Sequence, residues 1–201
     1  VQKKELENVR ESILAINYFN LGFNAKALII VSRKLNEITK TEYADELIVY
    51  LLKYYYEQND IKNYQNVYGY GNKRNNLVSL SNYYYGMLMY KQNNYSQALR
   101  FFITASRYTD QYAYASLYYI ALIQLLIQRN YGMAKKYFDL YFTKINSDDI
   151  NYYNAKIVMS LLLYEMDKRD ECKNILYEII TADSNVLAKI KAGHLIREYG
   201  F

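Results

Sequence analysis

The segment Tyr83–Arg107, YYYGMLMYKQNNYSQALRFFITASR, decides the fold. Its apolar residues recur at three- and four-residue spacing on both sides of the polar joint Gln92–Asn94. That period is helical, so the stretch reads as two helices and a turn. Asn94 followed by Gln97 has the form of a capping box at the start of the second helix. Gly86 lies midway along the first helix, where a missing side chain lets a partner helix approach closely. Tyr95, Ala98, Phe102 and Ala105 share one face of the second, with a small residue beside an aromatic one turn later.

The same markers recur along the chain, and the recurrence sets the architecture. Thirty-six residues beyond Ala98 come Ala134 and Phe138, preceded by Tyr131; 38 further on come Cys172 and Leu176. In the other direction, Tyr64 and Tyr68 lie 34 residues earlier, and Ala27 and Val31 another 37 before those. A small residue stands 12 positions before the marker in three units, as Ala15, Gly86 and Ser160; Leu52 and Leu122 break the rule. Polar joints at Gly22–Asn24, Gln58–Asp60, Arg129–Asn130, Asn146–Asp149, Asp167–Asp170 and Asp183–Ser184 separate helical segments. In the first of these segments the apolar residues at helical spacing are Leu6, Val9, Ile13 and Ile16 and then Phe19 or Phe23. Ser147, Asp148 and Asp149 are expected to start a helix.

The chain is thus expected to be all-α, a single domain of five helix–turn–helix units with a closing helix. The expected units are residues 4–39, 42–72, 79–109, 112–145 and 150–181, with the closing helix over 185–200.

Composition agrees with that reading. Among 201 residues there are no prolines, 7 glycines and 27 tyrosines. Folds built on many tight turns need more Gly and Pro than this. With 52% hydrophobic and 22% charged residues the chain is globular in composition. A net charge of +5 falls short of the dense basic stripe of a dedicated nucleic-acid binder. One cysteine, Cys172, cannot form an internal disulfide and is expected as a small buried thiol. No apolar run is long enough to span a membrane, so membrane association would require an anchor upstream of Val1.

These units resemble the tetratricopeptide repeat family. Tyr83–Arg107 is the clearest copy, Tyr118–Phe138 a second, Ile157–Ile179 is recognisable, and the first two units are degenerate. No unit carries the Pro that the family often places after its second helix. The resemblance implies a right-handed α-α superhelix, a TPR-like solenoid, serving as a scaffold for protein–protein interaction. The family's clamp for acidic chaperone tails needs Lys, Arg and Asn where this chain has mainly Tyr, Leu, Ile and Val, and that binding is not expected. A five-unit array is also similar to repeat lipoproteins of bacterial envelope assembly, which points to the envelope or the cytoplasm as the compartment.

Catalysis finds little support. His194 is the only histidine and has Ser184 as the one serine or threonine within ten residues, so it reads as a surface residue. One His and one Cys cannot build a structural zinc site. The pairs Asp148–Asp149 and Asp170–Glu171 sit at expected helix starts. Gly69-Tyr70-Gly71 has neither the spacing nor the strand of a phosphate loop. No enzyme activity, cofactor or metal is expected.

The tyrosines carry the functional expectation. Placed by the small-residue markers, the first helices direct Phe19, Tyr56, Tyr83, Met87, Tyr90, Tyr119, Ile123 and Tyr164 toward a concave apolar groove, with Lys53 and Lys91 at its margin. Such a groove suits the apolar side chains of a protein or peptide partner. Two alternatives remain. A nucleic-acid-binding helical repeat would use Lys73, Arg74 and the interleaved aromatics but lacks regular basic positions, so nucleic acid is disfavoured. A peptide-sensing regulatory domain would be part of a larger protein.

Overall fold

The computed structural model describes residues 2–149, 151–182 and 186–201. The joint expected at Asp183–Ser184 and the expected starts at 150 and 185 lie outside them. The described residues form eleven α-helices and no strand: α1 Gln2–Asn20, α2 Asn24–Ile38, α3 Ala44–Glu57, α4 Ile61–Gly71, α5 Val78–Lys91, α6 Tyr95–Ala105, α7 Gln111–Leu126, α8 Tyr131–Phe142, α9 Tyr152–Glu165, α10 Arg169–Thr181 and α11 Val186–Tyr199. Two compact units divide them, one ending at Ala105 and the other beginning at Ser106. In the first, α1–α2, α3–α4 and α5–α6 pair as hairpins, and the first helices α1, α3 and α5 lie side by side. In the second, α7–α8 and α9–α10 pair, and α11 packs on α10 and α9.

One turn closes every hairpin. The chain turns through a left-handed residue at Gly22, Asn59, Asn93, Arg129 and Asp167, with φ between 50° and 77°. Each stands five residues before its marker Ala27, Tyr64, Ala98, Ala134 or Cys172. In four of the turns the next amide donates to a carbonyl five residues back: Phe23 to Tyr18, Asp60 to Tyr55, Asn94 to Met89 and Lys168 to Leu163. This ends the first helix with its last carbonyls satisfied. Asp60, Asn94 and Asn130 then cap the second helix, accepting from the amides of Asn63, Gln97 and Met133 at 3.1–3.3 Å.

The fourth turn carries one residue more. Asn130 donates to Gln124, six residues back. The extra residue moves the close-packing position of α7 from Leu122 to Ala121, which is fully buried and lies 13 rather than 12 residues before Ala134. Ring contacts fix the equivalence: Tyr83 lies 6.2 Å from Phe102, and Tyr118 lies 6.2 Å from Phe138. The second hairpin exchanges volumes instead. Leu52 and Tyr64 are large and fully buried, and Gly71 makes room beside Leu52, since a Cβ there would lie 3.1 Å from Leu52 Cδ1 and collide with the Ser81 hydroxyl.

Packing corrects the sequence pattern in two further places. In α1 the core face is Ser12, Ala15, Ile16 and Phe19, whereas Leu6 and Ile13 are exposed. Residues Asn146–Asp149 do not begin α9. Asp149 instead accepts from the Tyr141 hydroxyl at 2.7 Å and from the Asn151 amide at 2.8 Å, tying the loop to α8. Cys172 is buried, and burial pushes its thiol up from the ordinary value.

The turns make a direct test possible. A Cβ at Gly22 would meet nothing within 4 Å, so Gly22→Ala should cost only the left-handed backbone penalty, about 1 kcal/mol. Arg129→Gly should stabilise by about 0.5–1 kcal/mol, the relief of that penalty less the entropy of a freer unfolded chain. Urea unfolding of both variants checks the signs; a neutral Arg129→Gly would mean that the turn is not left-handed there.

Candidate functional site

The aromatic residues of the first helices gather on the shared flank of α1, α3 and α5 in the first unit. Phe19 on α1 stacks on Tyr50 of α3, with ring centres 5.7 Å apart and planes within 1°. Tyr56 at the end of α3 meets Tyr84 of α5 at 4.7 Å, and Tyr84 touches Tyr83 at 5.3 Å. The Lys91 ammonium sits 3.9 Å above the Tyr56 ring. Each such ring contact adds roughly 0.5–1.5 kcal/mol beyond its buried area, so the rings are held in place.

Helical geometry explains the arrangement. Tyr83, Met87 and Tyr90 recur at four- and three-residue spacing on α5, one stripe of the helix, and all three are half-buried. Tyr90 packs edge-on against Tyr95 at 5.3 Å, and burial pushes its phenol up. Tyr83 leans onto the fully buried Phe102, which itself fills the space left by Gly86. Tyr83 therefore serves packing as well as surface.

Two of the expected groove residues are packing residues instead. Phe19 is 9% exposed and Ile123 is 1% exposed. For Ile123 the cause is the additional residue in the α7–α8 turn, which shifts the register by one position. The place of Tyr83 is then taken in α7 by Tyr118 rather than Tyr119. Tyr119 remains half-buried beside Tyr118, with ring centres 5.3 Å apart. The signal for this was in the sequence: aligning Tyr118 and Ala121 with Tyr83 and Gly86 forces the insertion.

Tyr164, on α9 of the second unit, is covered from the C-terminal side. Its ring stacks on Tyr199 of α11 at 3.7 Å and within 9° of parallel, and Phe201 lies edge-on to both. Ala134 and Phe138 are fully buried in that unit, as are Ala98, Phe102 and Ala105 in the first; Tyr95 is half-buried and bonds Asn93 at 2.7 Å.

Arg74 and Lys34 are the cations of the first unit that the structure commits to ion pairs among its described residues. Arg74 binds the Asp45 carboxylate at 2.5 Å, the Thr39 carbonyl at 2.6 Å and the Tyr70 carbonyl at 3.1 Å, so it clamps the loops between hairpins. Lys34 pairs with Glu7 and Glu11 at 2.8 and 3.2 Å. His194 is an exposed residue 3.6 Å from Glu198. Among the described residues, no three His, Cys, Asp or Glu side chains are grouped to hold a metal. No helix among them is long and apolar enough to cross a membrane.

With this geometry in hand, comparison with known proteins adds no relative: no protein-family model matches the chain, and no curated protein matches it.

The stacked Tyr199 gives a pH test. Burial, reinforced by Cys172, Glu198, Tyr164 and Glu165, pushes its phenol up to about 12. The folded chain then holds this proton more tightly than the unfolded chain, where tyrosine titrates near 10. Its contribution is complete below about pH 10 and is lost as pH rises toward about 12. Tyr199→Phe should therefore lose less stability than the parent protein across that window in denaturant titrations. Parallel losses would show that the stacking does not protect the phenol.

Proposed function

We propose that this chain is a non-catalytic scaffold, a right-handed superhelix of the tetratricopeptide kind, that binds a protein or peptide segment. The observation that carries the reading is the aromatic flank of α1, α3 and α5, where half-buried Tyr50 stacks on Phe19, Tyr56 meets Tyr84 and Tyr90 packs on Tyr95. Tyrosine rings already immobilised by their neighbours lose little further entropy on binding, and they offer apolar area with a hydroxyl at the rim. Lys53 and Lys91 border the flank and would favour a segment with acidic residues beside its apolar anchors. Repetition supports the same reading: in the first unit, hairpins that each turn through a left-handed residue set α1, α3 and α5 side by side, as a scaffold surface requires.

Binding to nucleic acid is the weaker reading. The net charge is +5, and Arg74, one of the two cations named for that role with Lys73, is engaged with Asp45 and two carbonyls.

Affinity capture from a native extract, with the parent protein beside a Tyr56→Ala/Tyr84→Ala/Tyr90→Ala variant, tests the proposal. A protein partner should be retained by the parent and reduced by at least about tenfold on the variant, whose helicity is unchanged. Equal retention by both proteins would overturn the assignment of this flank. Capture that vanishes on nuclease treatment would overturn the protein-scaffold reading itself.

A further inference from the structure

A cavity of about 440 Å³ opens between α4, α5 and α6, within the first unit. Its volume falls within the ~300–1,000 Å³ range of small-ligand sites. It belongs to a different side of α5 from the tyrosine flank, because Asn82, in its wall, and Tyr84 are two residues apart on the helix and point in nearly opposite directions.

The wall is organised by one buried amide. Asn82 is 1% exposed. Its Nδ2 donates to the Val78 carbonyl at 2.8 Å and to Asn72 Oδ1 at 2.8 Å, while its Oδ1 accepts from the Tyr68 hydroxyl at 3.0 Å. The Val78 carbonyl can only accept, and this fixes which way the Asn82 amide points. Asn72 in turn must offer its oxygen to Asn82, which leaves its own Nδ2 donor for the cavity. The Tyr68 proton is committed to Asn82, and the Thr104 hydroxyl donates to the Arg100 carbonyl at 3.0 Å.

Arg100 completes the set. Its guanidinium forms no ion pair and donates no hydrogen bond to any described residue, and no Asp or Glu lines the cavity. Two aromatic residues, Tyr68 and Phe101, line the same cavity. Phe101 is stacked on Tyr85 at 4.2 Å and meets Tyr68 edge-on at 5.9 Å. Unspent donors, a lone cation and an apolar wall in one cavity complement an anionic acceptor carried on an apolar body.

We propose that this cavity binds a carboxylate attached to an aromatic group, the carboxylate paired with the Arg100 guanidinium and Asn72 Nδ2 and the aromatic group laid against Phe101. A planar guanidinium matches a carboxylate through two parallel hydrogen bonds. The Gln97 side-chain amide lies at the same wall and can turn to donate as well. The carboxylate can belong to a free aryl acid or to a C-terminal phenylalanine.

The test is a titration of the ¹⁵N-labelled full chain followed by amide shifts. Phenylacetate should move the amides of Asn72, Asn82, Gln97, Arg100 and Phe101 saturably, and phenylacetamide, of the same shape without charge, should bind at least about tenfold more weakly. Arg100→Gln, at an exposed position, should lower phenylacetate affinity by a similar factor with helicity unchanged. N-acetyl-Ala-Ala-Phe with a free C-terminus distinguishes the source: tighter binding than phenylacetate points to a peptide end, weaker binding to a free acid. Equal binding of acid and amide, no movement of these amides with either acid, or full affinity in a folded Arg100→Gln protein would each overturn the proposal.

Discussion

The structure depends on how closely two helices of a hairpin can approach. At Gly86 a Cβ would lie 2.7 Å from the Phe102 ring, so the ring occupies the volume that a side chain would need. Phe102 is fully buried because of that vacancy. Ala15 and Ala27, Ser160 and Cys172, and Ala121 and Ala134 meet the same demand with buried small residues. Where the second hairpin uses Leu52 and Tyr64, it recovers space beside Leu52 at Gly71. Interiors at crystal-like density respond to single methyl groups, so each hairpin has to settle this exchange locally.

Close approach also governs the turns and the surface. A left-handed residue ends each first helix and reverses the chain within a few residues, keeping the partners in register. Asn93 is such a residue, and its side chain accepts from Tyr95, so the turn is stitched to the helix that follows. With the small residues facing inward, the larger ones on α1, α3 and α5 are displaced to the flank. Tyr50, Tyr56, Tyr84 and Tyr90 collect there as a consequence of the packing arrangement. The opposite tendency appears in Asn82, whose amide is buried because three partners satisfy it.

Much of this was legible in the amino-acid order. The helical period, the polar joints and the recurrence of Ala27, Tyr64, Ala98, Ala134 and Cys172 define the hairpins without any coordinates. The flank residues on α5 follow from Gly86 alone. What escaped has physical causes. Leu122 stands 12 residues before Ala134, so a register set by that spacing alone overlooks the extra residue in the turn; matching Tyr118 to Tyr83 reveals it, and the contact of Tyr118 with Phe138 agrees. The stripe Leu6, Val9, Ile13 has the right period, but the period does not say which face is covered, and Ser12 and Ala15 take the core instead. Arg74 and Asp45 are 29 residues apart, and nothing local announces that they pair. The cavity beside Arg100 depends on an amide orientation that only the Val78 carbonyl fixes.

The central claim is that ring and glycine share one volume, and a double-mutant cycle at Gly86 and Phe102 measures it most directly. Gly86→Ala alone should destabilise the protein as the ring is displaced, and Phe102→Leu alone should cost a few kcal/mol through lost burial, about 1–3. In the combined variant the shorter Leu leaves room for the new methyl, so the double loss should fall below the sum by about 1 kcal/mol or more. Losses that simply add would contradict the account, because the two residues would not be competing for the same space.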